Sequence, residues 1–283
     1  GALAVAIHNT FRLHNAPRTK VIFTAHGWAW SEERSWWQVK LITWGVRAIS
    51  LLQDAIIIIS RHDLATALKN GIGEKKLAII QSAIPPRSER MNAHDAAQTA
   101  IKKFGSTPKR PFVGVIAELT KNKGLGNLIH ACALLKQRNI PFSCAIIGEG
   151  EERPLLQRMI SENGLSDSAR LLGFHDNASE YMHGFDILAL PSIKEGLPYV
   201  LIEAQTAGVP VIASSVGGVP DIIDHGKNGL LVPPKNPEML AQAIQTVAEN
   251  QRLLSEFSKN ARMRAGTFSF DTMLARTTAL YES

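Results

Sequence analysis

Short runs of aliphatic and β-branched residues recur along the chain, and between them apolar positions fall at helical spacing. The short runs lie at residues 20–23, 55–59, 77–80, 112–116, 143–147, 170–172, 187–190, 209–213 and 229–232. Each predicts a strand. The helical pattern predicts helices at residues 2–13, 33–52, 61–69, 95–104, 126–136, 152–163, 178–182, 199–207, 219–224, 239–250 and 253–264. Alternation of strand and helix predicts parallel sheets covered by helices on both faces.

The alternation breaks once, at Ile84-Pro85-Pro86. Residues 86–111 are polar apart from the short helix at 95–104, and they read as a linker region between two domains. The part after the break has six strands and predicts a doubly wound sheet. Ligands of such sheets bind beyond the carboxyl ends of the strands. The part before the break has about three strands, few for a complete sheet of this kind. The expected division is residues 1–90, residues 91–266, and a terminal helix at 267–283 returning toward the first domain.

The richest segment runs from Asp186 to Pro234. It holds Glu195 and Glu203 with seven residues between them, around a Gly196-Leu197-Pro198 turn. The turn joins the strand at 187–190 to the helix at 199–207. Pro198 suits a helix start, because its missing N–H has no partner there. The N–H groups of Gly196, Leu197 and Tyr199 can meet an anion, and the helix dipole reinforces this. Two carboxylates beside such a turn suit sugar and ribose hydroxyls. By spacing alone, a capped helix with two solvated acids stands level with a nucleotide-sugar site. Glycine turns at Gly148-Glu149-Gly150, Gly173-Phe174 and Gly217-Gly218 also follow predicted strands, and together they outline one crevice.

The stretch EGLPYVLIEAQTAGVPVIASSVGGVPDIIDHGKNGLLVPP resembles the donor-site signature of retaining GT-B glycosyltransferases of the glycosyltransferase group 1 (family 4) kind. Residues 117–124 (AELTKNKG), Ile147-Gly148-Glu149-Gly150, Leu172-Gly173-Phe174 and Thr24-Ala25-His26-Gly27 agree with it. The resemblance covers essentially the whole chain and is strongest over residues 112–234. It implies an α/β GT-B fold of two Rossmann-like doubly wound domains, the amino-terminal one shortened.

The resemblance also implies roles. Lys123 and Gly124 would meet the donor diphosphate, with Lys123 opposing the charge of the leaving group. Glu195 would bind donor-sugar hydroxyls, and Glu203 the ribose hydroxyls. The amides of Gly196, Leu197 and Tyr199 would hold phosphate or sugar oxygens. Gly148 and the Phe174 loop would line the base pocket. His26 would come from the first domain and face donor sugar or acceptor. As a lone residue, His26 reads as structural, and Lys123 reads as a solvated lysine before a turn. No cofactor or metal is expected beyond the nucleoside-diphosphate sugar, and the chain has no Asp-x-Asp motif.

Two positions depart from the family pattern. Glu118 stands where the family often has an arginine, and Ser82-Ala83 where an Asn-Gly turn is common. A glutamate at 118 would repel a diphosphate unless it turns away or pairs with a cation. The shortened amino-terminal domain would leave an unpaired sheet edge, open to self-association or a partner chain.

Composition changes the picture little. The chain has 283 residues, 45% apolar and 20% charged, with net charge +6. The positive charge suits an anionic ligand, an anionic membrane surface or nucleic acid. No dense Lys/Arg run or nucleic-acid motif is present, so nucleic acid is not expected. Cys132 and Cys144 lack metal-ligand spacing, and a reduced cytosolic compartment is the default. No run is long enough to span a bilayer. Residues 2–7 are apolar, too short for a signal peptide and not preceded by basic residues. The first residue is Gly, which reads as a fragment or a processed product. A cytoplasmic location, peripheral at the inner face of the membrane, is expected.

All five tryptophans, Trp28, Trp30, Trp36, Trp37 and Trp44, lie before the break. Trp37, Leu41 and Trp44 share a helix face, with Arg34, Lys40 and Arg47 nearby. One reading is a surface that meets a membrane or a lipid-linked acceptor. The preferred reading is a core helix packed on the sheet, with Trp28 and Trp30 in the cleft.

The expected reaction is retaining transfer of a hexosyl group from a nucleoside-diphosphate sugar to a hydroxyl acceptor, in cell-envelope or exopolysaccharide assembly. A nucleotide-sugar-binding subunit or inactive remnant that needs a partner chain is the alternative. A GT-B-like sugar-nucleotide epimerase is a weaker third reading, against which the two-glutamate block speaks.

Overall fold

The computed structural model describes residues 19–31, 34–85 and 92–282. The expected helix at 2–13, the first residue of the helix at 33–52 and part of the linker region lie outside them. The chain divides into two compact units. Residues up to Ala83 and from Phe270 onward form one, and Ile84–Ser269 the other.

Among its described residues the first unit has three parallel strands in the order β1-β2-β3: Ile22–Ala25, Ala55–Ile58 and Leu77–Ile79. β1 starts two residues later than the expected run at 20–23. Val21 is already committed to Asp54, whose carboxylate accepts from the Val21 N–H at 2.8 Å and whose N–H bonds the Val21 carbonyl at 2.8 Å. Pairing therefore begins at Ile22 against Ala55. The helix Trp36–Leu51 (α1) joins β1 to β2. The ammonium of Lys76 donates to the carbonyls of Ser50, Leu51 and Gln53 at 2.7, 3.1 and 2.8 Å, capping its carboxyl end. Arg61–Lys69 (α2) starts at Ser60, whose hydroxyl accepts from the Asp63 N–H at 3.0 Å.

The tryptophans divide differently from the preferred expectation. Trp28 and Trp30 are buried in the core with Ala25, Ile56 and Ile58, not in a cleft. Their rings stack at 4.5 Å, and the Trp28 indole N–H donates to the Asp63 carbonyl at 2.9 Å. Trp37, Leu41 and Trp44 are exposed, not core. Val39, Ile42 and Val46, at i, i+3 and i+7, already supply the stripe that α1 turns to the sheet.

The second unit opens with Ala93–Phe104 (α3), capped by Asn92, and continues into a six-stranded sheet. Its strands are Phe112–Ile116 (β4), Ser143–Ile147 (β5), Ala169–Gly173 (β6), Ile187–Leu190 (β7), Val211–Ser214 (β8) and Gly229–Val232 (β9). They are parallel throughout, in the order β6-β5-β4-β7-β8-β9. Leu125–Gln137 (α4), Arg153–Glu162 (α5), Tyr199–Ala207 (α6), Val219–Ile222 (α7), Pro237–Ala248 (α8) and Gln251–Ala265 (α9) complete the unit. The segment expected as a helix at 178–182 is a longer 3-10 stretch, Ala178–Gly184. Phe270–Glu282 (α10) belongs to the first unit.

The first two strands of this sheet, β4 and β5, run outward to β6, and the chain then returns to the other side of β4 with β7. The loops leaving β4 and β7 therefore lie side by side at the sheet's topological switch point, the place where sheets of this kind bind their ligands. At the opposite ends of the same strands, Asp186 fixes the pairing. Its carboxylate accepts from the Phe112 N–H and from Arg110, each at 2.6 Å. Cys132 on α4 and Cys144 on β5 are buried and free. A hydrogen bond that the Cys132 thiol donates to Cys144, together with burial, holds that thiol well above its usual range, so it stays protonated. No described helix is long and apolar enough to cross a membrane.

Candidate active site

Five loops leave the carboxyl ends of β4 to β8, and backbone contacts knit them together. The loop after β4 meets the loop after β5 where the Leu119 N–H donates to the Glu149 carbonyl at 2.8 Å. Gly148 lies so close to Ala117 that a Cβ there would overlap the Ala117 carbonyl oxygen. The Gly148 N–H donates to the Gly173 carbonyl at 2.9 Å, bringing in the loop after β6. Across the switch point, the Ile193 N–H donates to the Asn122 carbonyl at 2.8 Å. The Gly218 N–H donates to the Gly196 carbonyl at 2.7 Å, which adds the loop after β8. Gly217 faces the Glu195 carbonyl with no room for a side chain.

Two of the expected site residues meet at the switch point. Lys123 comes from a 3-10 turn, Lys121–Lys123, after β4, and Glu195 from the loop after β7. The Lys123 ammonium lies 2.8 Å from Oε1 of Glu195. The lysine side chain is 27% exposed and the glutamate side chain 7%. Oε1 also accepts from the hydroxyl of fully buried Ser192, at 2.6 Å. Lys123 and Ser192 thus hold one carboxylate oxygen from two sides. Oε2 takes no hydrogen bond among the described residues.

The turn after Glu195 leads straight into α6. Pro198 caps the helix, and the Leu197 side chain is buried beneath it, so Leu197 has only backbone to offer. Among the described residues, the N–H groups of Gly196, Leu197 and Tyr199 donate no hydrogen bond. Free amides at the start of a nine-residue helix are suited to an anion. Glu203 lies in the second turn of α6, half-buried. Tyr199 and Phe174 are exposed at 47% and 67%. Gly124 closes the loop carrying Lys123, and a Cβ there would overlap the Pro191 carbonyl oxygen.

Glu118 is exposed on the loop after β4. His26 follows β1 in the other unit and is exposed. Among the described residues, no cluster of three His, Cys, Asp or Glu side chains is placed to hold a metal ion. Sequence reasoning missed Ser192. Its signal was a serine three residues before the glutamate, where one turn of chain returns the hydroxyl to the carboxylate.

The family model for "Glycosyl transferases group 1" matches residues 97–264. The amylovoran biosynthesis glycosyltransferase AmsK of Erwinia amylovora is 29% identical over 206 residues, 70% of this chain and 48% of that protein. The alpha-D-kanosaminyltransferase of Streptomyces kanamyceticus is 30% identical over 170 residues, 59% of this chain and 44% of that protein. The chain spans about half the length of these two relatives. Among solved structures, Anabaena HepE in complex with UDP and glucose matches with TM-score 0.84 at 21% identity, over 100% of this chain and 74% of that one. A sucrose-phosphate synthase from Thermosynechococcus elongatus matches with TM-score 0.81 at 22% identity, over 99% and 71%. At these identities the likeness is one of fold.

Proposed function

The chain belongs to the glycosyl transferases group 1 and has their GT-B fold, and from that premise we propose that it transfers a hexosyl group from a nucleoside-diphosphate sugar to a hydroxyl acceptor, with retention at the anomeric carbon. The observation that carries this is the Lys123–Glu195 pair at the switch point beside the free amides of α6. It supports a site with a cation and N–H donors for a diphosphate, and a carboxylate for sugar hydroxyls. HepE was solved with UDP and glucose, which makes a uridine diphosphate sugar the first donor to try. The setting proposed is polysaccharide assembly, by likeness to the amylovoran enzyme.

In the proposed reaction the bond from the anomeric carbon to the diphosphate oxygen breaks, and the electron pair leaves with the diphosphate. Lys123 and the amides of Gly196, Leu197 and Tyr199 oppose the charge that develops there. The Oε2 atom of Glu195 orients the sugar through its hydroxyls. The acceptor oxygen bonds the same face of the carbon, and its proton passes to a diphosphate oxygen. Glu203 takes the ribose, and Gly148 with the Phe174 loop lines the base. Fixed cation and amides take the place of a metal, so activity is expected without one. Cytoplasmic placement and a role for His26 belong to the same proposal.

The alternative, a binding subunit that needs a partner chain, is not favoured, because the relatives compared are themselves named as transferases. The test is release of nucleoside diphosphate from UDP-, GDP- and ADP-hexoses in the presence of EDTA. One donor should turn over, and Glu195→Ala should abolish it. Turnover at the wild-type rate in that variant refutes the assignment.

A further inference from the structure

The outer face of α1 exposes a run of large apolar side chains. Trp36, Trp37, Leu41 and Trp44 are 72%, 54%, 62% and 69% exposed, and Leu51 at its end is 76% exposed. Trp37, Leu41 and Trp44 fall at i, i+4 and i+7, one continuous stripe. The core does not need them, since Val39, Ile42 and Val46 already meet it on the opposite face. Three indoles in water on one short helix are an unusual expense of apolar surface.

The charge on the same helix has one sign. Its 16 residues include Lys40 and Arg47 and no Asp or Glu. Lys40, Trp44 and Arg47 follow each other at i, i+4 and i+7, so the cations flank the aromatic stripe. The Lys40 ammonium lies 5.0 Å from the Trp36 ring centre. A length of about 24 Å with cations along the face is too short and too polar to cross a bilayer. Tryptophan is the side chain that settles at the level of lipid headgroups, with its ring in the acyl boundary and its N–H in the wet layer. Lysine and arginine beside it complement anionic headgroups.

We propose that the outer face of α1 docks on an anionic lipid bilayer, with the helix lying in the plane of the interface. Trp37, Leu41 and Trp44 enter the acyl boundary, and Lys40 and Arg47 meet phosphate groups. The occupant is a membrane and not a second copy of the chain: a copy would present the same cations to the same cations across a two-fold interface. This inference does not depend on the proposed reaction, because it concerns the first unit alone and its test needs no turnover.

The fluorescence of the full chain reads the face directly. Trp28 and Trp30 are buried, so lipid-dependent changes in emission come from Trp36, Trp37 and Trp44. Vesicles of phosphatidylcholine carrying about a quarter phosphatidylglycerol should shift the emission to shorter wavelength and carry the protein down on sedimentation. Phosphatidylcholine alone should do so weakly, and salt should weaken the binding to the charged vesicles. The Trp37→Ser/Trp44→Ser variant, with circular dichroism and Tm matching wild type, should partition at least about tenfold less. Unchanged emission and no sedimentation with the charged vesicles overturn the proposal. So does a lipid-free blue shift that grows with protein concentration, which would mean a second copy. A variant that folds and binds like wild type overturns it as well.

Discussion

Nζ of Lys123 and Oε1 of Glu195 lie 2.8 Å apart, although the two residues are 72 positions apart along the chain. The contact ties the loop after β4 to the loop after β7, where the strand order reverses. Each residue by itself reads as ordinary. Together, at a switch point and beside free helix amides, they make a cation and a carboxylate available to one ligand. The ammonium is the more accessible partner, so an arriving diphosphate can draw on Lys123 while Ser192 keeps Glu195 in place.

In the proposed reaction Ser192 acts as a positioning residue. Its hydroxyl, fully buried, holds Oε1 at 2.6 Å. Ser192→Ala should lower kcat by about tenfold, the order expected for one hydrogen bond to a charged group. The KM for donor should change less. Steady-state kinetics check this, and an unchanged kcat would remove Ser192 from the account.

Gly217→Ala should spoil the site without unfolding the protein. A Cβ there would overlap the Glu195 carbonyl oxygen, and the φ of +51° disfavours a side chain as well. Glu195 and Gly196 must shift to make room. Donor affinity should fall by at least about tenfold, since site geometry tolerates little displacement. Circular dichroism should stay native. Calorimetry on the variant reads the affinity, and wild-type binding would contradict the close approach.

Asp186→Ala should cost stability rather than donor recognition. The carboxylate satisfies the N–H of buried Phe112 and pairs with Arg110. Leaving that amide unsatisfied costs about 1–3 kcal/mol. Urea denaturation should show a lower midpoint, with donor affinity retained in the native protein. An unchanged midpoint would mean that water replaces the carboxylate at no cost.

Much of the second unit was legible in sequence. The strands Phe112–Ile116, Ser143–Ile147, Ile187–Leu190 and Gly229–Val232 fall where the apolar runs place them, and Tyr199–Ala207 starts after Pro198 and stops at Gly208. Buried strands of a parallel sheet leave continuous apolar runs, and Pro and Gly punctuate them. The first unit was less legible. Aromatic residues on α1 looked like core because spacing reports a helix face but not which face turns inward. Val39, Ile42 and Val46 compete for that role at the same period, and the sheet took the β-branched stripe. Within the site, Lys123 and Glu195 were readable as candidates, but their contact was not. It depends on strand order, which no local pattern records, and Ser192 went unseen for the same reason.

The central claim is that the switch-point crevice binds a nucleoside diphosphate through Lys123. Calorimetric titration of the metal-free chain with UDP, GDP and ADP, alongside Lys123→Ala, tests it most directly. One nucleotide should bind selectively to the wild type, and the variant should bind it about ten- to a hundredfold more weakly, the order expected for one charge-assisted contact. Binding that is equal in the two proteins, or absent from the folded wild type, would contradict it.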